Sequence, residues 1–196
     1  MSDVTAKLGQ PLSETDRAEI IATAHAAAGV AREVTLTYFR GTALDTTSKK
    51  DAGFDPVTVA DRGSERAMRA LIEDRRPQDG IMGEEFGPKA GTSGLIWVLD
   101  PIDGTRGFIS GTPTWGVLIA LRDADQALFG IIDQPYIGER FVGGFGYSEM
   151  TGPHGTRALG VRRGVSLDEA LIFSTFPEVG SEVEGRAFHD LAGRCK

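Results

Sequence analysis

Four acidic residues stand where acidity needs a reason. Asp100 and Asp103 flank Pro101 in "WVLDPIDGT", directly after the apolar run Leu95 to Leu99, and Glu84 and Glu85 follow a short apolar stretch in "IMGEEFG". Pro101 holds its own φ and biases Asp100 away from helix, and Gly104 permits a sharp turn, so the two aspartates are held close at a strand end. Carboxylates a few ångströms apart repel, and one rises in pKa unless a cation lies between them. A hard divalent ion with oxygen ligands, such as Mg2+, suits this set; zinc does not, since no His or Cys cluster is near. If the "IMGEE" and "LIWVLD" strands are neighbours, Glu84 projects toward Asp100, and three carboxylates can hold two ions. Gly104 and Thr105 add amide donors where "TRGFI" starts a helix. Ions and amides aimed at one point suit a phosphate, and the chemistry is hydrolysis of a phosphate ester by a metal-activated water. Each acidic pair alone has a plainer reading: an Asp turn bonding its own backbone, or a solvated Glu pair. Their joint placement after short apolar strands favours the site.

The flanking sequence supplies the elements that must position these groups. Ser13 with Asp16 fits a helix start, and Ile20, Ala24, Ala27, Ala31 and Val34 recur at three and four, predicting a helix to near Phe39 with Gly41 as a stop. "TALDTTSKKDAGFDP" reads as a loop or irregular hairpin. Thr58 caps a second helix whose apolar stripe is Ala60, Ala67, Met68, Leu71 and Ile72, with Pro77 past its end. The period then shifts to strands: Ile81 and Met82, "LIWVLD", "TWGVLIALR", "ALFGIIDQP", "ERFVGGFG", "TRALGVRRG" and "ALIFSTF". Two helices followed by strands predict an α+β fold with a largely antiparallel sheet. The glycine-rich "GGFGYSEMTGPHGTR" marks a boundary, giving an N-terminal lobe over 1–145 that carries the acidic motifs and the start of a C-terminal lobe over 146–196. "EVEGRAFHDLAGRCK" reads as the beginning of a helix.

Bulk properties narrow the class. The 196 residues carry a net charge of −7, which argues against binding a nucleic-acid backbone. Cys195 is the one cysteine, so no intrachain disulfide forms. No apolar run is long enough to span a bilayer, and "MSDVTAKLGQPLSETD" lacks the apolar core of a leader peptide. A cytoplasmic setting is expected. No nucleotide-binding "GxxxxGK[ST]" loop is present. Phe108 and Trp115 are expected in the core, Asp61 is read as structural, and His25, His154 and His189 have no partner at metal-ligand spacing.

"DPVTVAD", "GEE" and "DPIDGT", in that order, resemble the inositol monophosphatase-like superfamily of magnesium-dependent sugar phosphatases over about residues 15–190. "GTRGFISGTPTWGVLIAL" and "GIIDQPYIGERFVG" look most like its histidinol-phosphate phosphatase branch, which serves histidine biosynthesis. The resemblance implies a layered α/β/α/β/α fold. It also implies that Glu84, Asp100 and the Ile102 carbonyl hold a first Mg2+, and that Asp100 and Asp103 contribute to a second. Asp55 and Thr105 would orient and deprotonate the attacking water. The amides of Gly104 and Thr105 would bind substrate phosphate, with Glu85 behind the metal ligands and Lys49 or Lys50 approaching from the loop. The implied reaction is hydrolysis of histidinol phosphate to histidinol, with inositol 1-phosphate or a related sugar or nucleotide phosphate as the alternative; a homodimer is the family's common state. The family also carries a late Trp- or Tyr-Asp motif that completes the second metal site. Lys196 comes before any such motif, so the chain is expected to be C-terminally truncated with an incomplete C-terminal lobe, and a remnant that only binds metal or phosphate is the further alternative.

Overall fold

The first helix starts from a reciprocal cap. Asp16 donates its amide to Ser13 Oγ at 3.1 Å, and the Asp16 carboxylate accepts from the Ser13 amide at 3.2 Å. The structure, a computed structural model, describes residues 12–41, 46–48, 56–174 and 180–196, without the side chains of 46–48 and 56–58. Helix α1 runs Glu14–Tyr38 and buries Ile20, Ala24, Ala27, Ala28 and Ala31, an alanine-rich face that allows close approach of its neighbours. Strands β1, Thr46–Ser48, and β2, Pro56–Thr58, pair antiparallel, so the stretch expected as loop or hairpin contains a hairpin. Helix α2 follows as Val59–Arg75, and Thr58 stands just before it, where the cap was expected. Its buried face holds Ala60, Met68 and Ile72 together with polar Asp61, Ser64 and Glu65.

A seven-stranded sheet then forms in chain order: β3 Gly80–Gly83, β4 Ile96–Asp103, β5 Gly116–Arg122, β6 Ala127–Gln134, β7 Glu139–Gly144, β8 Tyr147–Gly152 and β9 Gly155–Ala158. β3 and β4 are parallel, and every later pair is antiparallel. This is the expected α+β layering with a largely antiparallel sheet. Alternation places Trp97, Leu99, Val117, Ile119, Leu121, Phe129 and Ile131 on one face, where they pack with Ile20, Ala24, Ala27, Met68 and Ile72. Full burial of each large aliphatic side chain contributes about 1.5–3 kcal/mol. The short helix α3, Thr105–Ile109, sits between β4 and β5. A second cluster of Phe39, Ala60, Ile102, Phe108 and Trp115 lies beside it, with the Phe108 and Trp115 rings edge-to-face at 4.8 Å, so both aromatics are core residues as expected.

Three expectations are corrected. The strand expected to stop at Asp100 continues to Asp103. The lobe boundary expected at 145 falls inside the sheet, because Gly144, Phe145 and Gly146 have positive φ and turn β7 into β8; the first compact unit runs through Leu159. β9 ends at Ala158, and no strand covers Ala170 through Ser174, the described part of "ALIFSTF". Residues Gly160–Lys196 form a second unit, holding a 3-10 turn at Leu167–Glu169 and helix α4, Glu182–Ala192, capped by Ser181 and Glu184. Among the described residues this unit has no strand, so the later layers of an α/β/α/β/α stack are not seen in it. No described helix is long and apolar enough to cross a membrane.

Candidate metal and phosphate site

The site begins with one strand pairing. Because β3 runs parallel to β4 with Gly83 opposite Leu99, β3 ends level with Leu99 and the turn that follows it starts alongside Asp100. The Glu84 amide donates to the Leu99 carbonyl at 3.2 Å, which sets Glu84 beside Asp100. Carboxyl ends of adjacent parallel strands are where open sheets present residues to ligands. The sequence expectation that these strands are neighbours and bring Glu84 to Asp100 matches the structure.

β4 then bulges. Asp100 pairs with Leu118 and Asp103 with Gly116, with a register shift between them. Pro101 has no N–H for the ladder, and a bulge is where a sheet tolerates it. Inside the bulge the Ile102 amide donates to Asp100 Oδ1 at 3.2 Å, and the Ile102 side chain is buried in the aromatic cluster. The Ile102 carbonyl accepts from Thr105 Oγ1 at 3.1 Å. Gly104 follows at φ +85°, and a Cβ there would lie 2.7 Å from the Thr114 carbonyl oxygen, so both conformation and space demand glycine.

Electrostatics couple the acids by repulsion. Asp100 borders an apolar groove with Val98, Leu118 and Ala120. Burial there, then the charges of Glu84 and Asp103, then a hydrogen bond with Glu84, raise the Asp100 carboxyl to about 7, against the pull of the Ile102 amide. Among the described residues no three Asp, Glu, His or Cys side chains are grouped tightly enough to cage an ion. Asp100 and Glu84 instead share a hydrogen bond, while exposed Asp103 acts on Asp100 by charge. Two carboxyls sharing a proton relieve the repulsion that a cation would otherwise neutralise. The donor set, carboxylates and one backbone carbonyl, is the kind a hard divalent ion takes.

The other expected residues are placed as follows. Thr105 begins α3 beside Gly104, and Phe108 donates its amide to the Gly104 carbonyl at 3.1 Å. Glu85 has its side chain 3% exposed and lies 3.6 Å from the Arg62 guanidinium. Asp55, Lys49 and Lys50 fall outside the described residues. Asp61 is buried in α2. His25 Nδ1 meets Arg140 at 3.1 Å, His189 Nδ1 meets the Gly185 carbonyl, and His154 lies in the β8–β9 turn.

One participant escaped the sequence reading. The Glu65 carboxylate, fully buried on α2, accepts from the amides of Glu85 at 2.7 Å and Phe86 at 3.2 Å. Its signal was present as an acid at helical spacing with Met68 and Ile72, inside an otherwise buried stripe.

The sequence matches the model of the Inositol monophosphatase family over residues 16–185. The bifunctional phosphatase IMPL2 of Arabidopsis thaliana chloroplasts is 36% identical over 188 residues, covering 94% of this chain and 52% of that protein. A histidinol-phosphatase of Streptomyces coelicolor is 36% identical over 176 residues, covering 86% of this chain and 65% of its own. A solved inositol monophosphatase from Zymomonas mobilis superposes with a TM-score of 0.75 at 36% identity, covering 94% of this chain and 68% of that one. The chain therefore spans about half the length of the Arabidopsis relative and about two thirds of the other two.

Proposed function

The chain belongs to the inositol monophosphatase family, and we propose that it is a Mg2+-dependent phosphoric monoester hydrolase that converts histidinol phosphate to histidinol and phosphate. The observation that carries this reading is Asp100, raised to about 7 by burial and by Glu84 and Asp103 together. Acids kept at such cost at one sheet end suit a cation site better than a turn.

In this reading Glu84, Asp100 and the Ile102 carbonyl hold one Mg2+, and Asp100 with Asp103 contributes to a second. When bound, the ions supply Lewis acidity toward a phosphoryl oxygen and the attacking water. The Asp55 carboxylate takes the proton of that water, with Thr105 Oγ1 orienting it. The amides of Gly104 and Thr105 hold phosphate oxygens, and Glu85 supports the metal ligands from behind. A cytoplasmic setting, a small phosphorylated metabolite as substrate and a homodimer belong to the same reading.

Histidinol phosphate is favoured by similarity to histidinol-phosphatases, including one from Chlorobaculum parvum that is 43% identical over 111 residues. Inositol 1-phosphate is the second reading, favoured by an inositol-1-monophosphatase of Mycolicibacterium smegmatis that is 34% identical over 142 residues. A remnant that only binds metal or phosphate is the third; the lack of a three-acid group among the described residues counts against a two-ion site and so against turnover.

Phosphate release from histidinol phosphate and inositol 1-phosphate, each with Mg2+ and with a chelator, separates the three. The expected result is Mg2+-dependent release, fastest from histidinol phosphate and lost in Asp100→Asn. Faster release from inositol 1-phosphate selects the second reading. Release from neither substrate, with Mg2+ still bound, selects the third.

A further inference from the structure

Glu65 and Arg69 lie on α2 and are not among the residues assigned above to metal or substrate, yet their polar atoms converge on the turn that presents Glu84. Glu65 Oε2 takes the Glu85 amide at 2.7 Å and Oε1 takes the Phe86 amide at 3.2 Å. Arg69 Nε donates to Glu65 Oε1 at 2.7 Å, and Arg69 Nη2 donates to the carbonyls of Phe86 and Gly87, each at 3.0 Å. On the other side of Glu84, its own amide is tied to Leu99 of β4. Glu84 is thus pinned in front by the sheet and behind by an ion pair whose carboxylate is fully buried. Gly83 completes the fit: a Cβ there would fall 1.9 Å from Glu65 Oε1, so the turn and the carboxylate share space that only glycine leaves open.

We propose that Glu65 and Arg69 are positioning residues that hold the Glu84 turn against Asp100 and so set the affinity of the metal site; this rests on the reading that Glu84 and Asp100 bind a divalent ion. Stability alone explains the pair poorly. A buried ion pair contributes little net stability compared with apolar packing, and the neighbouring positions Met68 and Ile72 are apolar. What a carboxylate adds at position 65 is two acceptor oxygens for two successive backbone amides. Residues that orient metal ligands in this way typically shift metal affinity by ~10–100-fold when replaced.

Glu65→Gln tests this with almost no change of shape. The remaining oxygen satisfies one donor, and the new NH2 group opposes another, from the turn or from Arg69. In calorimetric titration with MgCl2, the folded variant is expected to bind ~10–100-fold more weakly than the wild-type chain. Arg69→Lys, which keeps the charge but loses the fork to Phe86 and Gly87, is expected to weaken binding in the same direction and serves alone if Glu65→Gln does not fold. Unfolding midpoints measured with a chelator report stability separately. Wild-type Mg2+ affinity in the folded variants, with only a lowered midpoint, overturns the proposal and leaves the metal reading standing. A wild-type chain that takes up no Mg2+ overturns the metal reading, and the proposal with it.

Discussion

Asp100 concentrates the chemistry of this chain in one carboxyl. Its folded pKa of about 7 lies above the ordinary 3.8, mainly because it is buried and then because Glu84 and Asp103 add negative charge. The folded state therefore binds more protons than the unfolded chain between those two values, and stability falls as pH rises through that window. Without metal, urea unfolding should show a more stable protein at pH 5 than at pH 8. Mg2+ should reduce the difference, since a bound cation replaces the proton as the compensating charge. Asp100→Asn should flatten the metal-free slope and remove the Mg2+ response. A metal-free protein equally stable at both pH values would count against this account of the site.

Between elements, the junction of α1 with β6 and β7 turns on Asp133. Its carboxylate is fully buried and accepts from Arg32 Nη2 at 2.7 Å, Arg32 Nε at 3.0 Å and Arg140 Nε at 2.7 Å. Arg140 also donates to the His25 carbonyl at 3.2 Å, so one acid ties two strands to two places on the helix. Removing one member of a buried pair costs roughly 3–5 kcal/mol because the partner charge stays buried. Arg32 is 31% exposed and Arg140 18%, so water recovers part of that loss. Asp133→Asn is expected to lower unfolding free energy by about 2–3 kcal/mol in urea titration. Mg2+ affinity should be unchanged, which separates this lock from the Glu65–Arg69 pair.

Across the whole chain, order is uneven. The sheet unit closes at Leu159, and the residues that follow are exposed up to the 3-10 turn at Leu167. Arg162 and Arg163 lie there outside any helix or strand, and neither that turn nor α4 buries a residue. Exposed backbone without ladder bonds is where proteases act first. Limited trypsin digestion should therefore cut after Arg162 or Arg163 and leave an N-terminal fragment with the circular dichroism of the sheet unit. First cuts within β4 to β8 would contradict this picture.

Much of this architecture was legible in the residues because it depends on near neighbours. Ser13 and Asp16 announced a cap, alanines at three and four announced the buried face of α1, and short apolar runs bounded by turn residues announced β4 to β7. "LDPIDGT" announced a strand end with acids held beside a glycine turn. What stayed hidden depends on contacts through space. "GGFG" carries the same residues whether it links lobes or turns a hairpin, and only pairing of β7 with β8 decided for the hairpin. Glu65 looks like any helix acid until the turn after Gly83 folds against it. The charge state of Asp100 depends on a parallel register that sets Glu84 at its side. Most of the elements of the sheet unit, and the acids at its edge, were readable from the residues because local sterics and hydrophobic patterning act along the chain. Tertiary structure decided what those acids do to one another, because Coulombic coupling and desolvation depend on distances that only the folded sheet defines.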